Sequence, residues 1–157
     1  MGGLSREQIV ARARQHVGHA EVSPNRSPLI DGWIAACGLD PDKGYPWCAA
    51  FASWCLGLER PIAGALSLGM QFPTTLYPLP GDLMFFATDN KGAGHVGIVV
   101  DVRRPEVLCI EGNSANSVRF VRRMMPDVLF SRTRDPNELG PGWAGAPLVK
   151  VEKVGTR

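Results

Sequence analysis

Apolar positions along this chain change character after Pro80. Before it they recur at helical spacing; after it they gather in short runs of Val, Ile, Leu and Phe. Ser5 and Gln8 carry the signature of a capping box. Ile9, Val10, Ala13 and Val17 follow on one helical face as far as Gly18, which predicts a first helix. The Ser27-Pro28 pair opens a second, LIDGWIAACG, closed by Gly38. The Pro, Gly and Asp of LDPDKGYP then read as a loop into WCAAFASWCLGL, a helix from Trp47 to Leu56 that stops at Gly57. This third helix is apolar on nearly every side and belongs at the centre.

Beyond Pro80 the segments DLMFFAT, HVGIVVDV, EVLCIEG, SVRFVRR, VLFSRT and APLVKVEK are separated by Gly, Pro, Asn and Asp and read as strands. Helices first and strands afterwards predict an α+β fold, with N-terminal helices packed on one face of a roughly six-stranded antiparallel sheet. The Pro/Gly-rich DPNELGPGWAGAP reads as an excursion before the last strand, so one domain over residues 1–157 is expected.

At 157 residues with 45% apolar and 20% charged side chains, the chain can bury a core unaided. A formal charge of +2, with scattered Lys and Arg, argues against nucleic acid as a partner. The densest basic stretch, Arg119 to Arg123, alternates with apolar residues and reads as the solvated face of a strand. Cys37, Cys48, Cys55 and Cys109 show neither disulfide nor zinc spacing, so free thiols, no metal and no cofactor are expected. No long apolar run predicts membrane insertion, and the charged MGGLSREQIVARARQ does not read as a signal peptide.

Candidate chemistry centres on Cys48, where a Pro-containing loop enters the apolar helix. There the sulfur lies by the unpaired N–H groups of the first turn, which favours the reactive thiolate. His95 follows the glycine-rich DNKGAG and begins a strand, a rigid seat beside an open loop that suits a general base. On the next strand, alternation sends Val107, Cys109, Glu111 and Asn113 to one face. Either Glu111 or Asn113 can accept a hydrogen bond from the imidazole and orient it. Tyr45 and Trp47 flank Cys48 and are candidate walls of a substrate cleft. His16 and His19 close the first helix, Asp82 sits in the PGDL turn, and Cys55 and Cys109 read as packing thiols.

PWCAAFASWCL, PGDLMFF, GHVGIVV and IEGNS, in this order, resemble the CHAP family of cysteine, histidine-dependent amidohydrolases and peptidases, over roughly Leu4 to Arg123. The resemblance implies a papain-like fold, with Cys48 as nucleophile, His95 as base, and Glu111 or Asn113 as orienting residue. It also implies cleavage of an amide bond in peptidoglycan through an acyl-enzyme. The choice between stem-peptide endopeptidase and N-acetylmuramoyl-L-alanine amidase stays open. An NlpC-type peptidase commonly adds an orienting histidine, and none follows His95. Transglutaminase-like acyl transfer and a non-catalytic wall-binding module on the same fold are the alternatives. The expected setting is a monomer made in the cytoplasm and acting in the periplasm or wall, either as a phage endolysin or as an injected antibacterial effector. An effector would have an immunity or delivery protein as a further partner.

Overall fold

The computed structural model describes residues 3–135. Helix α1 (Arg6–Gln15) begins as its sequence dictates: the Ser5 hydroxyl accepts the Gln8 N–H, and the Gln8 side chain accepts the Ser5 N–H at 2.8 Å. In α2 (Pro28–Ala36) the Ser27 hydroxyl caps the Ile30 N–H, with Pro28 in the first turn. Helix α3 (Cys48–Leu56) starts at the candidate nucleophile and ends at Gly57, whose φ of 66° is the left-handed conformation glycine adopts readily. A fourth helix, α4 (Ala65–Gly69), lies within PIAGALSLGMQFP, and a single 3-10 turn (Pro41–Lys43) within the loop before α3. Both are too short to show periodicity in sequence.

Strands β1 (Leu83–Ala87), β2 (Gly94–Arg103), β3 (Glu106–Ser114), β4 (Ser117–Met124) and β5 (Leu129–Ser131) form one antiparallel sheet in the order β4-β3-β2-β1-β5. The fold is thus α+β as expected, with five strands among the described residues. The sixth expected strand, in APLVKVEK, lies outside them.

Strand alternation divides the apolar residues into two clusters. Leu83, Phe85, Val96, Ile98 and Ile110 meet Ile9, Ile34, Phe51 and Leu56 of the helices. On the opposite face Met84, Val99, Val107 and Cys109 pack with Leu79 and Phe130. Helix α4 comes close because it ends in glycine: a Cβ on Gly69 would fall 2.3 Å from the Phe85 ring.

A buried ion pair ties the ends of this assembly together. Arg6 and Asp82 are both fully buried, with Nη1 and Oδ1 2.6 Å apart. Asp82 also accepts the Leu79 and Thr133 N–H groups at 2.8 and 3.0 Å, and Arg6 donates to the carbonyls of Pro80 and Arg134. One carboxylate thereby joins the first turn of α1, the entry to β1 and the chain leaving β5. Asp82 serves its turn, as the PGDL motif suggests, and anchors a charge besides.

Removing one partner of such a pair strands the other in a medium that cannot solvate it. Asp82→Ala is expected to cost about 3–5 kcal/mol in urea unfolding, and the double change Arg6→Met with Asp82→Leu to recover much of that. A loss under about 1 kcal/mol for Asp82→Ala would contradict the description of the pair as a clasp.

Candidate active site

Helix α3 lies across β2 and β3, and a glycine sets how closely it does so. A Cβ on Gly112 would sit 2.9 Å from Phe51 and 3.0 Å from Trp47, so only a bare backbone admits the start of α3 at this point on β3. Cys48, the first residue of that helix, is thereby brought into hydrogen-bonding contact with His95 near the start of β2.

His95 is held from its other side. Its Nε2 lies 2.7 Å from Oε1 of Glu111, which leaves Nδ1 for the thiol. Glu111 is fully buried, and its second partner is Arg123 on β4. There Nε donates to Oε2 at 2.8 Å and Nη2 to Oε1 at 2.6 Å, a two-pronged ion pair. The Arg123 guanidinium lies over the Phe86 ring, 4.9 Å from its centre, and the same ring meets the His95 imidazole at 5.7 Å. Gly97 completes the arrangement, since a Cβ there would fall 2.6 Å from Cγ of Glu111.

Burial opposes charge on His95, but hydrogen bonds to Cys48 and Glu111, and their negative charge, outweigh it and raise its pKa from 6.5 to about 9. Burial likewise opposes charge on Glu111, yet the bonds from Arg123 and His95 prevail and hold its carboxyl below the usual range. The result is an imidazolium–carboxylate pair beside a sulfur.

Of the two candidates for orienting the imidazole, Glu111 makes the bond. Asn113 sits in the bulge between Glu111 and Ser114 with φ at 56°. Tyr45 is half-buried against the helical core. Trp47 is fully buried, stacked on Trp33 at 6.0 Å with its indole N–H on Glu21 at 2.9 Å, which corrects the expectation of a cleft wall. It is a core residue that fixes the helix start. The basic run of β4 also needs correction: Arg119 and Arg122 are exposed, but Arg123 is turned to the Glu111 carboxylate.

Hairpin register was the signal for Arg123. Pairing Glu111 with Arg119 across the β3–β4 turn places Arg119, Val121 and Arg123 on the face that carries Glu111. A buried acid there calls for one of those cations.

All four cysteines are free thiols. Burial pushes Cys55 and Cys109 well above the ordinary thiol range, and Cys37 upward as well. His16 packs edge-on against Trp33 and Trp54, and His19 is bonded to the Ser27 hydroxyl at 2.8 Å, apart from the reacting group. Among the described residues no trio of His, Cys, Asp or Glu is placed to hold a metal ion, and no helix is long and apolar enough to cross a membrane.

A cysteine on a helix start and an imidazole on the following strands meet a family pattern: residues 40–113 match the family model of the CHAP domain. Over that segment, just under half of its length, the chain is similar to CHAP domains. The matched segment contains Cys48, His95, Glu111 and Asn113, and ends before Arg123. No curated protein matches the chain. The CHAP domain denotes cysteine, histidine-dependent amidohydrolases, and so points to a hydrolase of the amidase or peptidase type acting on peptidoglycan.

The geometry of this site leads to two measurements. Because Glu111 is pinned at its head, the Cβ of Gly97→Ala can be admitted only by displacing the carboxylate from His95. Cys48 alkylation is expected to slow about tenfold or more, with little loss of helical circular dichroism. Unchanged alkylation would mean that β2 yields instead. Secondly, a His95 pKa raised from 6.5 to about 9 makes the folded state bind the proton more tightly than the unfolded chain. That stabilisation is fully present below about pH 6.5 and is lost as pH rises through about 9, so the difference in unfolding free energy between wild type and His95→Ala should shrink across this window. A constant difference would refute the shift.

Proposed function

We propose that this chain hydrolyses an amide bond of peptidoglycan, in the stem peptide or at its link to the sugar, with Cys48 as nucleophile. The observation that carries the reading is the single chain of contacts from the Cys48 thiol through His95 to the buried Glu111. A cysteine, an imidazole and a carboxylate on three separate elements make up the constellation that acyl transfer to sulfur requires.

The imidazolium of His95 stabilises negative charge on the Cys48 sulfur, and the thiolate attacks the carbonyl carbon of the scissile amide. As the first residue of α3, Cys48 has a backbone N–H without an intrahelical acceptor, which serves as a donor to the oxygen as it gathers charge. Collapse of the tetrahedral adduct breaks the C–N bond while His95 passes its proton to the departing amine. The neutral imidazole then takes a proton from water, whose oxygen attacks the thioester and frees Cys48. Glu111 stays ionised throughout, holding the ring and countering its charge. In this reading the protein acts in the wall compartment, on a polymer that presents many copies of the bond.

Purified peptidoglycan incubated with wild type is expected to release soluble fragments whose new ends, identified by mass spectrometry, name the bond. Cys48→Ala should release none. Glu111→Gln should lose about 10²- to 10⁴-fold in rate, and the alkaline limit of activity should move below its wild-type position as the imidazolium loses its counter-charge. Fragments released equally by Cys48→Ala would sink the mechanism. No fragments from wild type on walls of several chemotypes would favour acyl transfer to an amine.

A further inference from the structure

We propose that Arg123 is a positioning residue of this site, a clamp that holds the Glu111 carboxylate in the one orientation that presents Oε1 to His95. The inference rests on the reading of Cys48 and His95 as the reacting pair and adds to it a residue beyond the CHAP-matched segment.

A glutamate carboxylate rotates about its terminal bond over a broad range, so burial alone does not aim an oxygen at an imidazole. Arg123 supplies the constraint. Its Nε takes Oε2 and its Nη2 takes Oε1, so both carboxylate oxygens are held by one edge of the guanidinium. Oε1 then accepts from both Arg123 and His95, and Oε2 is committed to Arg123. The guanidinium is fixed in turn by Phe86, which lies opposite His95 in the β1–β2 register and touches its ring. Phe86 thus sets the spacing between the clamp and the group it serves. A partly exposed cation with no role would be expected to reach for water; this one lies over an aromatic face and bonds inward.

Among the described residues the charged and titratable groups around Glu111 are few. His95 comes from β2, and Cys48 of α3 acts through it; Arg123 and the exposed cross-strand Arg119 come from β4, and Cys109 precedes Glu111 by two residues on β3. Strand β1 contributes only the uncharged Met84 and Phe86. Loss of Arg123 therefore leaves a buried carboxylate with His95 as its one bonded cation, and protonation of Glu111 moves to higher pH.

The test reads thiol chemistry rather than wall hydrolysis. In a Cys37→Ser background, which removes the most exposed of the other thiols, the alkylation rate of Cys48 by iodoacetamide is followed by peptide mass spectrometry across the pH range in which the pair titrates. Arg123→Gln is expected to slow alkylation about tenfold to a hundredfold at neutral pH and to move the acid limb of the profile up by about one pH unit or more. Arg123→Lys, which keeps the cation and the fold but not the fork, should restore the acid limb while the plateau rate stays several-fold below wild type. A wild-type profile in Arg123→Gln would overturn the proposal, and so would a wild-type plateau in Arg123→Lys. Should Cys48 of the wild type react no faster than an ordinary thiol, the reading of Cys48 itself would fall and the clamp with it. Normal alkylation without wall fragments would leave the clamp standing and overturn only the substrate.

Discussion

A carboxylate with no access to water must be surrounded by donors or give up its charge, and Glu111 is such a carboxylate. Much of the sheet's irregular detail follows from that requirement. The β3–β4 hairpin brings Arg123 onto the same face, the missing side chain at Gly97 leaves room for the Glu111 stem, and β2 presents His95 to the oxygen that remains. The neighbouring Gly112 allows α3 to descend onto β3 beside it, so the sulfur at the helix start arrives at the far side of the same imidazole. The arrangement is a line of alternating charge threaded through the edge of an apolar core.

The molecule contains a second buried carboxylate, and the contrast is instructive. Asp82 is satisfied by one arginine and two backbone amides, all of them structural, and every partner it has belongs to the framework. Glu111 is satisfied by one arginine and one imidazole, and the imidazole also meets the Cys48 thiol. The same cost of desolvation is met in both places, but only at Glu111 is one of the partners a titratable ring. A charge whose donors are all amides can hold a fold together; a charge that shares its oxygen with a titratable ring can also tune that ring.

The parts legible in the sequence were those with a local cause. The capping box at Ser5, the Ser27-Pro28 start and the Gly57 stop act within a few residues, and the helices they predict are present. Alternation in β3 put Glu111 and Asn113 forward together and could not choose between them, because the bulge after Glu111 breaks the alternation that paired them. Arg123 was hidden for another reason. Its strand reads as one wet face, and only the register with β3 reveals that one arginine of that face has a buried acid within reach. Trp47 shows the converse error: adjacency to Cys48 in sequence suggested a cleft, whereas the first turn of a central helix turns its neighbour inward.

The Arg6–Asp82 clasp has a consequence for how the chain comes together during synthesis. Its bonds join residues 76 apart, and the Asp82–Thr133 bond spans a further 51. Helix α1 can form early, since its caps are local, but its clasp to the sheet is complete only when the residues following β5 have left the ribosome. The sulfur of Cys48 is likewise translated well before His95, Glu111 and Arg123. An emerging chain therefore carries a thiol without its imidazole partner, and the site reaches its final form only when most of the described chain is available to close around it.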